Sequence, residues 1–421
     1  MKKTVLFAVT AVILCMMYAC NKDISSLKEE NNPAEEDRQT EVITPFEPIV
    51  LTANQSVKAA FDNSLSFKMF KEVSVLNGAN TFFSPLSLNM ALGMLYNGSS
   101  GDTRTEMVEA LGMTGFTDAE INEYYQKMAQ ALLNIDPLTE ISIANSIWHR
   151  DGFPVKQSFI DVNQTYFDAM VKALNFGSPD AAGIINTWCA EKTKERIKEI
   201  IQAPIPDNVM MYLMNALYFK SKWMFEFDEK HTKQDDFTLS GNQKKKVNMM
   251  EQTTFFPYYA DQYLQCVEMP YGNEAFSMVA ILPANSMNIN QLIDYLDDTA
   301  WQNIVTNLWK REVYLKLPRF KIECEMNLNE PVKNVGMKRI FGGGFANISD
   351  TPLFVSEIRQ KTFVEVNEAG TEAAAVTVIA MPTSIPPPPV QFFANRPFLY
   401  LIKEKSTGVI LFIGRMDEPK E

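Results

Sequence analysis

Histidine is almost absent from this chain of 421 residues, with only His149 and His231 present. A Ser-His-Asp hydrolase would need one of them, yet neither lies near a nucleophile elbow and no GxSxG occurs. His149 precedes a turn at Arg150-Asp151-Gly152 and His231 sits in the charged run from Asp228 to Lys233, so both read as surface side chains. Cysteine is scarce too. Beyond Cys20 there are Cys189, Cys266 and Cys324, whose irregular spacing suits neither a disulfide framework nor a zinc site and leaves buried free thiols. Basic residues are in deficit, 39 Lys and Arg against 51 Asp and Glu, a net charge of −12. That excludes nucleic acid as a partner, because phosphate neutralisation needs a clustered basic surface. The one basic run, Lys244 to Lys246, follows Ser240-Gly241-Asn242 and reads as a solvated hairpin turn. No Lys-Ser/Thr pair follows the glycines of Phe341-Gly342-Gly343-Gly344-Phe345, so they form a flexible connection and not a phosphate loop. The chain reads as a non-enzyme without cofactor or metal.

The apolar stretch from Val5 to Ala19 is shorter than the ~20 residues a spanning helix needs. With Lys2 and Lys3 before it, it has the form of an export signal. Met17-Tyr18-Ala19-Cys20 resembles a bacterial lipobox, with Met where Leu is usual. Residues 21–50 carry three positive and eight negative charges. The expectation is a signal peptide over 1–19, a lipid on Cys20, an acidic flexible tether over 20–52 and one folded domain over 53–421. Such an anchor implies an outer-membrane lipoprotein on the periplasmic or cell-surface side. Lys22-Asp23 also weakly resembles a surface-export signal.

Apolar periodicity predicts helices over 55–75, 84–95, 102–111, 118–133, 159–172 and 181–201, with a strand over 141–148. The later part is strand-rich: 210–219, 238–256, 264–269, 276–282, 312–317, 363–367 and 398–413, with one helix over 289–308. Helices first and strands later indicate an α+β fold with mostly antiparallel sheets. Pro386 to Pro389 stiffen one end of an exposed loop.

Between Val366 and Val378 the chain reads VNEAGTEAAAVTV, a loop with the composition of a buried strand. It resembles the hinge of the reactive-centre loop in serpins, the protease inhibitors that insert this loop into their own sheet. The likeness extends over Asn80 to Leu88 (NTFFSPLSL), Leu111-Gly112, Ile185 to Trp188, Arg196 to Lys198, Met214 to Trp223, Leu317 to Phe320, Asn395 to Phe398 and Ile413 to Arg415, in the family's order.

The resemblance implies three β-sheets, about nine helices and an exposed, metastable reactive-centre loop. The implied activity is suicide inhibition of a serine protease through a covalent acyl complex, with cysteine proteases as a second target class, by a monomer. Glu368, Gly370, Thr371, Glu372, Ala373, Ala374 and Ala375 match the hinge; Thr371, Ala373, Ala375 and Thr377 fall on one face by period-two alternation and are small enough to be buried. Ser84, Ser87 and Asn215 match the polar cluster beneath the strands that must part, and Gln360 stands where a histidine is usual. Trp223 matches the exit of a central strand. Arg319 and Glu368 match an acid–base pair at the top of the sheet, expected to be exposed and to contribute about 0–1 kcal/mol. Counting from Gly370 puts the reactive bond at Ser384-Ile385, whereas the downstream Ser-Ile-Pro-Pro pattern puts it at Thr383-Ser384. Either bait is small and uncharged, which suits elastase-like or subtilisin-like enzymes. The alternatives are a non-inhibitory serpin that carries a ligand or acts as a cleavable decoy, and a surface hydrolase.

Overall fold

The computed structural model describes residues 45–77, 80–370 and 388–421. Its helices are α1 (Ala53–Asn77), α2 (Pro85–Gly98), α3 (Gly101–Ala110), α4 (Asp118–Asn134), α5 (Gln157–Phe167), α6 (Ala181–Lys192), α7 (Ile289–Tyr295), α8 (Asp298–Thr306) and α9 (Asn329–Asn334). The strands are β1 (Thr81–Phe83), β2 (Thr139–Arg150), β3 (Met170–Leu174), β4 (Met211–Ser221), β5 (Lys233–Thr238), β6 (Lys244–Ala260), β7 (Leu264–Tyr271), β8 (Phe276–Pro283), β9 (Trp309–Pro318), β10 (Phe320–Asn327), β11 (Arg359–Val366), β12 (Val390–Phe393), β13 (Phe398–Glu404) and β14 (Ile410–Met416). Among the described residues the nine α-helices and three sheets match the expected α+β architecture.

The largest sheet has nine strands in the order β1-β14-β13-β8-β7-β6-β9-β12, with β5 added to β6. Every residue of β8, β13 and β14 is buried, as expected for strands covered on both faces. A three-stranded sheet has the order β3-β2-β4, and β10 pairs with β11 in a two-stranded sheet. Helix α2 lies against β4 and β14. Its start is set by Ser84, whose side chain accepts from the Ser87 N–H, followed by proline at the first helical position.

The structure corrects several boundaries. The helix expected over 159–172 stops at Phe167, where Asp168 turns left-handed (φ 49°), and the chain continues as β3 alongside β2. The helix expected over 181–201 ends at Lys192. The one expected over 289–308 is two, because the Asp297 side chain caps a second helix through the Ala300 N–H. The strand expected over 398–413 is the hairpin β13–β14, and that over 238–256 is interrupted by a turn, after which Lys244 to Lys246 lie in β6 and pair with Asp236 and Glu418. His149 is half-buried within β2 and not in a surface turn. The glycine run is docked, not flexible. Thr103 donates to Gly343 O (2.9 Å), and a Cβ on Gly344 (φ 89°) would sit 2.1 Å from Thr103 Oγ1. Residues ahead of 53 also join the folded body, since Phe46, Ile49 and Leu51 pack on the core. Cys189, Cys266 and Cys324 are free and buried, as expected.

Candidate functional site

Strand β4 has β2 on one side only and β11 has β10 on one side only; among the described residues no ladder joins β4 to β11. Between them lies a cavity of about 430 Å³. Its walls are residues 208–217 of the β4 side and 351–362 of the β11 side; α2 forms its floor and α6 with the segment after it forms its roof. Farther along, Tyr218, Phe219 and Lys220 face Phe363, Val364 and Glu365 across a much narrower gap. Low numbers face low and high face high, so the two strands run parallel. The result is a slot that is open beside residues 208–217 and nearly closed beside residues 218–220.

At the upper end the chain doubles back. The Asn367 N–H donates to Gly370 O (3.0 Å) and the Gly370 N–H to Asn367 O (3.2 Å), with Glu368 and Ala369 forming the turn. Gly370 also bridges antiparallel to Lys222, just past β4. The residue that leaves the turn is therefore antiparallel to both walls of the slot. Its φ of +117° is open to glycine, and a Cβ there would meet Trp223 N at 2.4 Å and Ser221 O at 2.6 Å. Trp223 anchors the turn, donating its backbone N–H to Ala369 O and its indole N–H to Asn367 O (both 3.0 Å) while stacking on Tyr271.

Arg319 donates from Nε to Glu368 Oε1 (2.6 Å), and the Thr232 hydroxyl donates to the same oxygen. This pair is not the exposed one expected from sequence. The Glu368 side chain is only 5% exposed, so its carboxylate is desolvated and depends on its partners. The hydrogen bond to Glu368 is the main cause of an upward shift in the Arg319 pKa.

Ser84, Ser87, Asn215 and Gln360 come together beneath the slot. Gln360 Nε2 donates to Ser84 O (2.9 Å) and its Oε1 accepts from the Ser84 N–H (2.8 Å), so a single amide ties β11 to the start of α2. Ser84 Oγ donates to Leu411 O (2.8 Å) and Ser87 Oγ approaches Asn215 O (3.5 Å). Asn215 Nδ2 donates to Asn145 Oδ1 (2.7 Å), whereas Asn215 Oδ1 is buried without a partner among the described residues. Cys189 lines the roof, its thiol pushed up to about 11 by burial. Asn145 and Thr232 belong to these networks and were missed; Asn145, polar amid the apolar alternation of β2, carried a signal. Thr371, Glu372, Ala373, Ala374, Ala375, Thr383, Ser384, Ile385 and Cys20 lie outside the described residues.

The family model described as Serpin (serine protease inhibitor) matches residues 60–419. The chain belongs to the serpin family. It is 33% identical over 365 residues to Iripin-3 of Ixodes ricinus, covering 84% of this chain and 93% of that one. To the leukocyte elastase inhibitor of Xenopus laevis it is 33% identical over 369 residues, with 84% and 97% covered. The crystal structure of the thermophilic serpin tengpin in its native state superposes with a TM-score of 0.79 at 29% identity, covering 89% of this serpin and 97% of tengpin. Serpins are generally protease inhibitors that pair with serine proteases, rather than catalysts.

Proposed function

We propose that this serpin is a suicide inhibitor of serine proteases that fills the slot between β4 and β11 with its own cleaved loop. The slot, with Gly370 already antiparallel to both walls at its upper end, is the observation that carries this reading. Continuing that register sets Ala373 opposite Phe219 and Val364, which are 9% and 4% exposed. Thr371, Ala375 and Thr377 would face the same core, Thr377 between Gln360 and Asn215 with its unpaired Oδ1. The alternation of small side chains in the loop and the inward alternation of β11 thus agree.

The protease serine would attack the bait carbonyl, form an ester and release the amine of the next residue. Insertion would then carry the acylated protease away and distort its triad and oxyanion hole, so that deacylation stalls. Thr383 and Ser384 suit elastase-like or subtilisin-like pockets, and the Xenopus relative named an elastase inhibitor is consistent with that class. In this scheme Glu368, Arg319 and Trp223 hold the turn until cleavage, and Ser84, Ser87, Asn215 and Gln360 form the seam that parts. A lipid on Cys20 would hold the inhibitor at the outer membrane; mass spectrometry of the mature N-terminus tests this, and an unacylated start elsewhere refutes it.

Incubation with elastase or subtilisin should give an SDS-stable complex. Ala373→Arg would bury a charge at several kcal/mol and should turn the inhibitor into a substrate, cut at Thr383 or Ser384 without the complex. Cleavage without a complex in the wild type would instead support a decoy, and trapping by Ala373→Arg at wild-type efficiency would remove insertion from the account.

A further inference from the structure

The segment after α6 is held to β2, beside one wall of the slot, and to β11, the other wall, and two of its residues have a strained backbone. After α6 the chain does not continue as helix: Thr193, 1% exposed, ties it down by donating to Cys189 O (2.8 Å) and accepting from the Ile197 N–H (3.1 Å). Asn186 fixes the far end, its Oδ1 accepting from the Ile200 and Ile201 N–H groups (2.9 Å each). Between these anchors Lys194 (φ 50°) and Glu195 (φ 61°) are consecutive non-glycine residues in the left-handed region. Such a backbone persists only when its surroundings hold it.

What holds it reaches both sides of the slot. Lys194 Nζ pairs with Glu140 Oε1 (2.9 Å) on β2. Two residues later the Arg196 guanidinium reaches past β4 to β11, 5.0 Å from the Phe363 ring centroid and 3.8 Å from Glu365 Oε2. The hydrophobic cluster under α6 draws its residues from α6, the strap and the β2–β3–β4 side, none of them from β10 or β11. The roof is thus built onto one wall, and Arg196 lines the narrow upper gap that it spans.

We propose that the Thr193–Ile197 strap is a strained clasp over the slot, with Arg196 as the positioning residue that sets how fast a strand can enter. This rests on the insertion reading above. A strand entering between Phe219 and Val364 parts β4 from β11 and must break the Arg196 contacts, so these stabilise the closed form alone. The left-handed pair acts in the opposite sense, since its strain is relieved when the clasp lets go.

The probe is a synthetic acetylated peptide of residues 371–383, added to the intact protein, with uptake followed by tryptophan fluorescence and native gel. Arg196→Ala should take it up roughly fivefold faster than wild type, as expected for losing about 1 kcal/mol of closed-state contact. Its intact form should melt about 2–4 °C lower, with the loop-cleaved form unchanged. Arg196→Lys should fall between. Glu195→Gly, which accepts the left-handed backbone freely, should stabilise the intact form and slow uptake. Equal melting losses in the intact and cleaved forms of Arg196→Ala with unchanged uptake would reduce Arg196 to a structural role, and faster uptake by Glu195→Gly would refute the clasp. A wild type that takes up no peptide would overturn the insertion reading itself.

Discussion

In the large sheet, β7, β8, β13 and β14 each have a hydrogen-bonded neighbour on both sides, and their side chains are buried almost throughout. By contrast, among the described residues β4 and β11 have one neighbour each, with a cavity where the second would be, and β11 alternates buried and half-buried residues. The first region has nothing left to gain. Among the described residues the second has no ladder between β4 and β11, and a buried acceptor, Asn215 Oδ1, has no partner. On the proposed reading, the difference between the two regions is a strand still to be added between β4 and β11.

The largest test of that contrast is to supply the strand. Cutting the loop should add ~12 ladder bonds at about 1 kcal/mol each, on the order of 10 kcal/mol, which calorimetry would read as a melting increase of roughly 20 °C or more. Equal melting before and after cleavage would mean the slot is not filled.

Next in size is damage to the complete region. Lys403 and Glu268, in β13 and β7, form a buried pair at 2.9 Å with side chains 5% and 9% exposed. Glu268→Gln should cost about 3–5 kcal/mol by stranding the Lys403 charge, equally in intact and cleaved protein, as denaturant titration would show. Burial alone would raise the Glu268 pKa, but Lys403 and the Ser277 hydroxyl outweigh it and the value is lowered. A lowered folded value adds stability that is full above the unfolded carboxyl's titration near ~4.3 and is lost as pH falls through the folded value. The acid limb of the stability profile should therefore be shallower in Glu268→Gln.

Gly370→Ala is expected to cost about 1–3 kcal/mol, the scale of a forced backbone conformation, because its Cβ would press on Trp223 N and Ser221 O. Thermal melting of the intact protein checks it; no loss would mean that the turn relaxes freely. The smallest effect is at Asn215. Replacement by alanine removes the bond to Asn145, about 1 kcal/mol in the intact form, and should also reduce the gain on cleavage if Thr377 finds Asn215 there.

Much of this was legible in the sequence because it is local. The amphipathic repeat of α4 and the Ser84-Pro85 start of α2 depend on neighbours within a turn or two. Even the missed strand β10 had a clear pattern, Phe320, Ile322, Cys324 and Met326 buried against exposed partners. The end of α6 had none, since Lys194 and Glu195 are not residues that advertise a left-handed turn. Met170–Leu174 fits a helix as well as a strand, and only its pairing with β2 decides. The burial of Glu368 depends on Thr232 and Arg319 from distant segments. The slot itself is a relation between strands far apart in sequence, so no local pattern can announce it.

The short strand β12 sets a length limit on all of this. Val390 is held beside Val313 on β9, whose chain leads through Pro318 to Phe320, the partner of Val366 at the upper end of the slot. On the proposed register Ser384 would reach the level of Asn208, about 46 Å below Lys222 at ~3.3 Å per residue. The unbroken chain would have to return to Val390 through residues 385–389, a span of at most ~21 Å. With β12 held on β9, this short return limits how deep the unbroken loop could run on the proposed register, and deeper entry would have to peel the four residues of β12 away. On the insertion reading those four parallel pairings would act as an escapement: they would check the run of the unbroken strand, and one broken peptide bond would release it without disturbing them.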